Sequence, residues 1–336
     1  MPPIHVIVPV YNVAPWLTRC AESILAQEGC ELRVVLVDDG STDGSGGLCD
    51  ELAARDPRVL VAHTPNRGLS AARNLGMEMA LAEGAELIAF VDSDDWLAPG
   101  TLAALHGALV EAGADLAWCG NDSGREGEPR RTRVPRAGVV SGDELWRAYL
   151  GGDLYVTAWG KLYRAALFDG VRFPEGRVYE DLATTHRVLA RCGSAVGVPV
   201  AGYCYMVRDG SICQTPSMGS VADHWQARTE RHAYLSGLLG DRPWAPDALE
   251  REMAAGVSFV WRAAWGCGRE ECRAHAGLLA DVSRFAREEL PPLGRRGWPL
   301  EDRVACLLAR FDCDASLVFC HALNTVGSRA RRVLGR

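Results

Sequence analysis

Four short polar segments contain the side chains that are best suited to chemistry, and each directly follows an apolar run. They are residues 11–12, 38–43, 66–74 and 92–95. A DDGS segment alone is also an ordinary turn with a helix cap. Four in succession are hard to explain by turn chemistry, because carboxylates at strand ends repel one another unless a cation or hydrogen-bond donors compensate. The pattern predicts a carboxylate-rich ligand site.

Alternating strand and helix patterns over residues 1–120 must position these segments. Continuous apolar runs predict buried strands, and apolar residues every three to four positions predict helices. The predicted strands are 4–10, 33–37, 59–62, 86–91 and 115–119, and the predicted helices are 15–27, 43–55, 69–82 and 99–112. Strands without polar alternation indicate a parallel sheet covered by helices on both faces. The polar segments then lie along its carboxyl edge, where open α/β sheets bind ligands.

The rest of the chain is less regular. Residues 123–138 are rich in Arg, Gly and Pro and predict an exposed basic loop, either simply solvated or in contact with an anionic acceptor. Helices are predicted at 141–150 and 179–190, and strands at 195–207. Beyond about residue 220 the pattern is helical. We therefore divide the chain into a domain of residues 1–215 and a helical C-terminal region of residues 216–336.

Composition excludes several classes of protein. The chain has 336 residues, of which 48% are hydrophobic and 24% charged, so a disordered or multi-span membrane protein is not expected. The net charge of -7 argues against nucleic acid as a partner. Twelve cysteines occur without a CxxC pair, which favours reduced thiols over a zinc site. With no secretory signal or membrane-length apolar run, we expect a cytoplasmic protein.

The polar segments, read with their flanking residues, resemble a known family. VIVPVYN, VDDGSTD, NRGLSAARN and VDSDD, followed by WGKLYR and FPEGRVYED, are similar in order and spacing to the inverting glycosyltransferases of family 2. The resemblance covers about residues 4–210. It implies an α/β GT-A fold, Rossmann-like with a mostly parallel sheet flanked by helices, here with a helical C-terminal region.

By this resemblance, residues 1–120 form a nucleotide-sugar-binding half and residues 121–215 an acceptor-binding half. Tyr11 would pack on a uracil base, and Asp39 would accept the imide hydrogen of uracil, which cytosine lacks. Arg73 would form bidentate bonds to phosphate, a salt bridge to a neighbouring aspartate, or both. The full set of implied donor-binding residues is Pro9, Val10, Tyr11, Asn12, Asp39, Asn66, Gly68, Arg73, Asp92 and Ser93.

Asp92-Ser93-Asp94 fits the DXD motif of the family. Carboxylate oxygens suit Mg²⁺ or Mn²⁺, and these ions keep positions open for diphosphate oxygens. We expect Asp94 to be the direct ligand and Asp92 to contact the metal or the ribose. For Asp95, a site role and a cap on the following helix both stay open.

The acceptor side of the site is also implied by the resemblance. Asp181 would be the general base, and Glu180 would orient the acceptor. Taken alone, this acidic pair is an ordinary first helical turn. Trp159 and Lys161 would line the acceptor side, and Arg208 and Ser211 would close over the diphosphate.

The implied function is metal-dependent, inverting transfer of a sugar from a nucleotide sugar, preferably UDP-linked, to an acceptor hydroxyl. The acceptor is a saccharide, a lipid-linked molecule or a small molecule, in cell-envelope, polysaccharide or natural-product glycosylation. The basic residues 328–336 are either a solvated tail or a peripheral contact with the inner membrane face. Two alternatives remain: a catalytically silent nucleotide-sugar-binding protein, and a related nucleotidyltransferase. The latter usually has a glycine-rich loop where this chain has PVYN.

Overall fold

In the structure, a computed structural model, residues 2–208, 217–267, 269–291 and 297–310 are described. The chain divides into two compact units, Met1–Ser211 and Ile212–Arg336. Every site residue predicted above belongs to the first unit.

The first part of this unit alternates strands and helices, as the apolar pattern predicts. Its elements are β1 (Ile4–Val10), α1 (Ala14–Leu25), β2 (Leu32–Asp38), α2 (Ser45–Arg55), β3 (Val59–His63), α3 (Leu69–Ala82), β4 (Leu87–Phe90), β5 (Trp96–Leu97) and α4 (Thr101–Ala112). All seven residues of β1 are buried. Helix α1 packs Leu17, Cys20 and Ile24 into the same core. Its apolar residues, spaced three to four positions apart, therefore form the buried face of the helix.

The second part of the unit is more mixed. Its elements are β6 (Leu116–Gly124), β7 (Arg131–Arg133), β8 (Gly138–Ser141), α5 (Gly142–Leu150), β9 (Lys161–Arg164), a 3₁₀ turn (Ala165–Phe168), α6 (Glu180–Leu189) and β10 (Ser194–Met206). The segment predicted as a basic loop forms a hairpin instead, because β6 continues to Gly124 and β7 returns antiparallel to it. Arg131 and Arg133 are exposed there.

One sheet joins these strands in the order β3-β2-β1-β4-β9-β6-β10-β5, with β7 paired to β6 and β8 to β10. The predicted parallel arrangement is present from β3 to β4. Beyond β4, the sheet is mixed, since β9 runs antiparallel to both β4 and β6. The carboxyl ends of β1, β2 and β4 therefore lie together, and the polar segments follow them directly.

The elements described in the second unit are all helices. They are α7 (Met218–Leu239), α8 (Ala245–Gly266), α9 (Arg269–Ala274), α10 (Ala276–Glu288) and α11 (Leu300–Leu308). Trp225, Trp261 and Trp298 are buried in their shared apolar core. Across the helices that the structure describes, none combines the length and apolarity needed to span a bilayer. Residues 328–336 lie outside the described residues.

Candidate active site

The loop after β1 presents an exposed aromatic ring on a fixed backbone. Strand β1 ends in the buried residues Pro9 and Val10, and the next residue, Tyr11, is 49% exposed. Asn12 follows with a φ of 51°, a left-handed conformation that asparagine tolerates better than most residues. Its side-chain oxygen accepts the Thr42 N–H at 2.8 Å, which fastens this loop to the loop after β2.

Asp39 orders the loop that connects β3 to α3. It is buried, and its two carboxylate oxygens accept the backbone N–H groups of Arg67 (2.8 Å) and Gly68 (2.7 Å). Gly40 has a φ of 74°, and a Cβ atom there would lie 2.8 Å from the backbone nitrogen of Asn66, so the two loops touch through a glycine. The Asn66 side chain is exposed. A carboxylate has about four lone-pair sites, so Asp39 can hold this loop and still accept a ligand N–H.

Arg73 connects the segment after β4 with the start of α6. It is 2% exposed, its Nη2 donates to Asp92 Oδ1 at 2.5 Å, and its Nη1 donates to Glu180 Oε1. The guanidinium also lies over the ring of Phe173, 5.5 Å from the centroid. Burial opposes its charge, but Asp92 and Glu180 outweigh burial and raise the pKa of Arg73. Both terminal nitrogens of Arg73 already donate to carboxylates. The bidentate bond from Arg73 to a donor phosphate therefore remains a prediction.

The aspartates after β4 have different partners. Asp94 Oδ2 accepts a hydrogen bond from Arg208 Nε at 2.5 Å. Asp95 is buried, and its carboxylate accepts the Tyr203 O–H and the Met206 N–H, both at 2.7 Å. Asp95 therefore ties the segment to β10. It does not cap α4, which is preceded by a glycine in the left-handed conformation.

The Asp92-Ser93-Asp94 segment fits a divalent cation in its chemistry. Burial raises the pKa of Asp94, the charge of Asp92 adds to the rise, and the bond from Arg208 opposes it. A cation would relieve that repulsion, and carboxylates are the ligands that Mg²⁺ and Mn²⁺ prefer. In the part of the chain that the structure describes, no group of three or more His, Cys, Asp or Glu residues is placed to hold a metal ion. Water or a bound diphosphate would have to complete the coordination.

Helix α6 begins with the predicted catalytic pair. The residue before it, Tyr179, has a φ of 60°, a conformation that costs about 1–2 kcal/mol for an L-residue. Glu180 is buried against Arg73, and Asp181 Oδ1 accepts the Leu182 N–H at 2.6 Å. Burial and the charge of Glu180 raise the pKa of Asp181 to about 7. A carboxyl group that titrates near neutral pH is well matched to general-base chemistry.

Two of the four predicted acceptor-side residues, Trp159 and Lys161, lie on and under the loop before β9. The half-buried ring of Trp159 stacks on Tyr203, with 4.2 Å between ring centroids and 12° between planes. Lys161 is 2% exposed, and its Nζ donates to the carbonyl oxygen of Thr157 at 2.5 Å. Arg208 is placed by Asp94, as described above. Ser211 lies outside the described residues.

Tyr203 is a site residue that the sequence analysis missed. Its hydroxyl accepts the Asp92 N–H at 3.1 Å and donates to Asp95, and its ring lies under Trp159. One signal was present: Tyr203 and Tyr205 alternate along a predicted strand and therefore share one face. A buried tyrosine hydroxyl usually finds a polar partner. The alternation of Tyr203 and Tyr205 does not indicate which polar group the Tyr203 hydroxyl contacts.

Known proteins are similar to this chain in sequence. The profile described as glycosyl transferase family 2 matches residues 5–172. Glycosyltransferase GlyA of Streptococcus pneumoniae is 34% identical over 254 residues, which is 70% of this chain and 35% of GlyA. Glycosyltransferase GlyG of the same organism is 33% identical over 225 residues, which is 63% of this chain and 73% of GlyG. The match thus spans about a third of GlyA and most of GlyG.

Solved structures share the fold. Staphylococcus aureus TarS 1–349, in complex with UDP-GlcNAc, has a TM-score of 0.68 at 21% identity and covers 95% of this chain and 89% of TarS 1–349. The mannosyltransferase PcManGT of Pyrobaculum calidifontis, in complex with GDP-Man and Mn²⁺, has a TM-score of 0.51 at 19% identity and covers 92% and 86%. The resemblance stated from the motifs is confirmed: the chain is a glycosyltransferase with the GT-A fold, and it belongs to glycosyltransferase family 2.

Proposed function

We propose that the protein is an inverting glycosyltransferase that moves a sugar from a UDP-linked donor to an acceptor hydroxyl, with a divalent cation at Asp92 and Asp94 and with Asp181 as general base. The buried Arg73 bridge carries the proposal. A single guanidinium holds Asp92, at the predicted cation segment, and Glu180, the neighbour of the predicted base. Donor-side and acceptor-side carboxylates thus belong to one network.

The chemistry assigned to these residues is a single displacement. The acceptor hydroxyl attacks the anomeric carbon from the face opposite the diphosphate, and Asp181 accepts its proton as the bond forms. The bond from Arg73 fixes Glu180 beside Asp181. A bound Mg²⁺ or Mn²⁺ would neutralise charge on the departing nucleoside diphosphate.

Replacement of the base tests the mechanism. Asp181→Asn removes the proton acceptor, so kcat should fall roughly 10²–10⁴-fold while UDP affinity changes little. Glu111→Gln, an exposed site on α4, is the matched control and should keep native kcat. The anomeric configuration of the product, read by NMR, should be opposite to that of the donor. Retention of configuration, or near-native kcat in Asp181→Asn, would exclude this mechanism.

Calorimetric titration tests the donor base and the cation. The UDP-GlcNAc complex of TarS supports a uridine donor, whereas the GDP-Man and Mn²⁺ complex of PcManGT represents the alternative. The exposed Tyr11 ring and the spare acceptor sites of Asp39 suit uracil, whose imide N–H is a donor that cytosine lacks. UDP should bind more tightly than GDP, and only with Mn²⁺ present. Tighter GDP binding would reject the uracil assignment, and full UDP affinity in EDTA would reject the cation.

An assay of UDP release distinguishes the proposed enzyme from the alternative hypothesis, a catalytically silent binding protein. A silent protein would bind UDP-GlcNAc or another nucleotide sugar without releasing UDP. The proposed enzyme should release UDP slowly even to water, because Asp181 can accept a proton from water as well as from a sugar hydroxyl.

A further inference from the structure

The arginines on the two faces of the β6–β7 hairpin have different partners. In paired strands, residues that lie side by side point to the same face, and successive residues along a strand alternate between faces. On one face, Asp122 accepts hydrogen bonds from Arg130 Nε at 2.9 Å and from Thr132 Oγ1 at 3.0 Å. The guanidinium charge of Arg130 is therefore paired within the hairpin.

The opposite face consists of two rows of residues, each with an arginine on β7 and a tyrosine on β10. The rows are Arg133–Asn121–Tyr203 and Arg131–Ser123–Tyr205. Both arginines are exposed, and neither forms an ion pair with any residue that the structure describes. The half-buried side-chain amide of Asn121 likewise has no hydrogen-bond partner among the described residues. Two guanidinium groups and an amide are therefore available to a ligand on this face.

Aromatic rings extend the same face beyond the two rows. The Trp159 ring, which stacks on Tyr203, also lies nearly parallel to the Tyr205 ring, with 5.8 Å between centroids and 21° between planes. The Tyr155 ring centroid is 6.4 Å from that of Trp159, and the guanidinium group of Arg133 lies over the Tyr155 ring, 4.8 Å from its centroid. We call the surface formed by residues 121, 123, 131, 133, 155, 159, 203 and 205 the hairpin face.

The hairpin face adjoins the proposed cation segment and is remote from the loops proposed to bind uracil. The Tyr203 hydroxyl contacts both Asp92 and Asp95 after β4. In the sheet, β9 and β4 separate β6, β7 and β10 from β1 and β2, the strands that precede Tyr11 and Asp39. A molecule bound on the hairpin face would therefore reach the proposed reaction centre from the side opposite the donor base.

The side chains of the hairpin face suit a negatively charged saccharide. Guanidinium groups bind carboxylate and phosphate oxygens in bidentate geometry. The negative face of an aromatic ring attracts the polarised C–H groups of a sugar. A side-chain amide can donate to one sugar hydroxyl group and accept from another. The cation–π contact with Tyr155 holds the Arg133 guanidinium in place for such a ligand.

We propose that the hairpin face is the acceptor-binding site and that the acceptor is a saccharide bearing carboxylate or phosphate groups. Arg131 and Arg133 bind the anionic group, and Tyr155, Trp159 and Asn121 bind the sugar. The proposal rests on the proposed function and goes further, because that function leaves the chemical class of the acceptor open.

Binding to a glycan array, with no donor present, tests the charge. The array carries neutral glycans, the same backbones with uronic acids, and the same backbones with phosphate groups. The protein should be retained on anionic glycans and not on their neutral counterparts. Retention on the uronate or on the phosphate series then identifies the source of the negative charge.

Arginine variants locate the binding on the hairpin face. The double variant Arg131→Gln/Arg133→Gln should bind the retained glycans about tenfold more weakly. Both positions are exposed, so the double variant is expected to fold. Arg33→Gln is the matched control and should bind as the unmodified protein does. Like Arg133, Arg33 is an exposed strand arginine that donates to a backbone carbonyl oxygen, here that of Pro57 at 3.1 Å.

Retention on neutral glycans alone, or on none of the anionic glycans, would overturn the proposal. So would undiminished binding by the double variant, or an equal loss in Arg33→Gln. A protein that binds anionic glycans through the hairpin face but transfers no sugar to them would instead contradict the proposed function.

The ring contacts need a separate test, because arginines also bind anions that carry no sugar. Tyr155→Leu removes the ring beneath Arg133, and Tyr234→Leu, which replaces an exposed tyrosine of α7, is the control. Calorimetric titration with the most strongly retained anionic glycan measures Kd for both. Tyr155→Leu should raise Kd about fivefold, and Tyr234→Leu should leave Kd unchanged. An unchanged Kd in Tyr155→Leu would mean that the arginines bind charge alone, and it would overturn the assignment of a saccharide site.

Discussion

The loop after β2 and the cluster around α6 hold their carboxylates in opposite ways. In this loop, backbone N–H groups and hydroxyl groups bond to Asp38 and Asp43. Asp38 Oδ1 accepts the Ser41 N–H at 3.0 Å, and Asp43 Oδ2 accepts the Ala14 N–H, also at 3.0 Å. Burial opposes ionisation at both aspartates, but these hydrogen bonds outweigh it and lower both pKa values.

Around α6 the balance is reversed. Burial is the largest cause of the pKa shifts of both Asp181 and Lys161, and it brings both values to about 7. Asp38 and Asp43 therefore carry fixed negative charge at neutral pH, whereas the α6 cluster changes protonation there. This comparison predicts that breaking the charged cluster has the largest effects, and that the cluster makes the larger contribution to the pH dependence of stability.

The largest effect is expected when the bridge of the cluster is removed. Arg73→Ala leaves Asp92 and Glu180 without their buried cation, and breaking such a pair costs about 3–5 kcal/mol. The control is Arg55→Ala, since Arg55 and its partner Glu51 are 69% and 60% exposed. That change should cost less than about 0.5 kcal/mol. Urea unfolding measures both, and similar losses would contradict the contrast between buried and exposed pairs.

The parts of the fold that the sequence predicts are those set by local pattern. The strand Ile4–Val10 and the helix Leu69–Ala82 have the bounds expected from apolar spacing. The adjacency of the Asp39 and Asn66 loops also follows, because parallel strands bring their carboxyl ends to one edge. The four-residue strand Lys161–Arg164 was missed because it is too short to show a period.

The contacts that assemble the site are not visible in the sequence. Arg73 and Glu180 are 107 positions apart, and Tyr203 and Asp95 are 108 apart. A hydrophobic period links neighbours on one element, and it carries no information about pairing over such distances. Motif resemblance named several of these residues, but their partners come from the tertiary fold.

A smaller effect, with a distinct pH dependence, is expected for the stability of Asp181→Asn. Asp181 has a folded pKa of about 7 against an ordinary value of 3.8. Well below pH 3.8, both folded and unfolded chains hold the proton. Between 3.8 and 7 the unfolded chain releases it first, so folding loses stability as pH rises. Asparagine removes this loss.

The asparagine variant should therefore be more stable than the unmodified protein at pH 8, by on the order of 1 kcal/mol, with a much smaller gain at pH 4. Calorimetric Tm values at pH 4, 6 and 8 measure the difference. A gain that is the same at all three pH values would show that repacking, and not ionisation, is responsible.

The smallest effect is expected at the edge of the loops, and it should have the opposite pH dependence. His63 Nδ1 lies 2.9 Å from Asp38 Oδ2, and its Nε2 lies 3.1 Å from Asp50 Oδ1. The hydrogen bonds to these two carboxylates raise the pKa of His63 above 6.5. The stabilisation is fully present below pH 6.5 and is lost as pH rises through the folded pKa. Because the side chain is 46% exposed, solvent screening keeps the contribution below about 1 kcal/mol.

His63→Gln should thus lower the free energy of unfolding by a few tenths of a kcal/mol at pH 5.5 and by less at pH 8.5. A cost that grows with pH would mean that His63 contributes as a neutral ring, and the loops would then have no titrating ion pair to set against the α6 cluster.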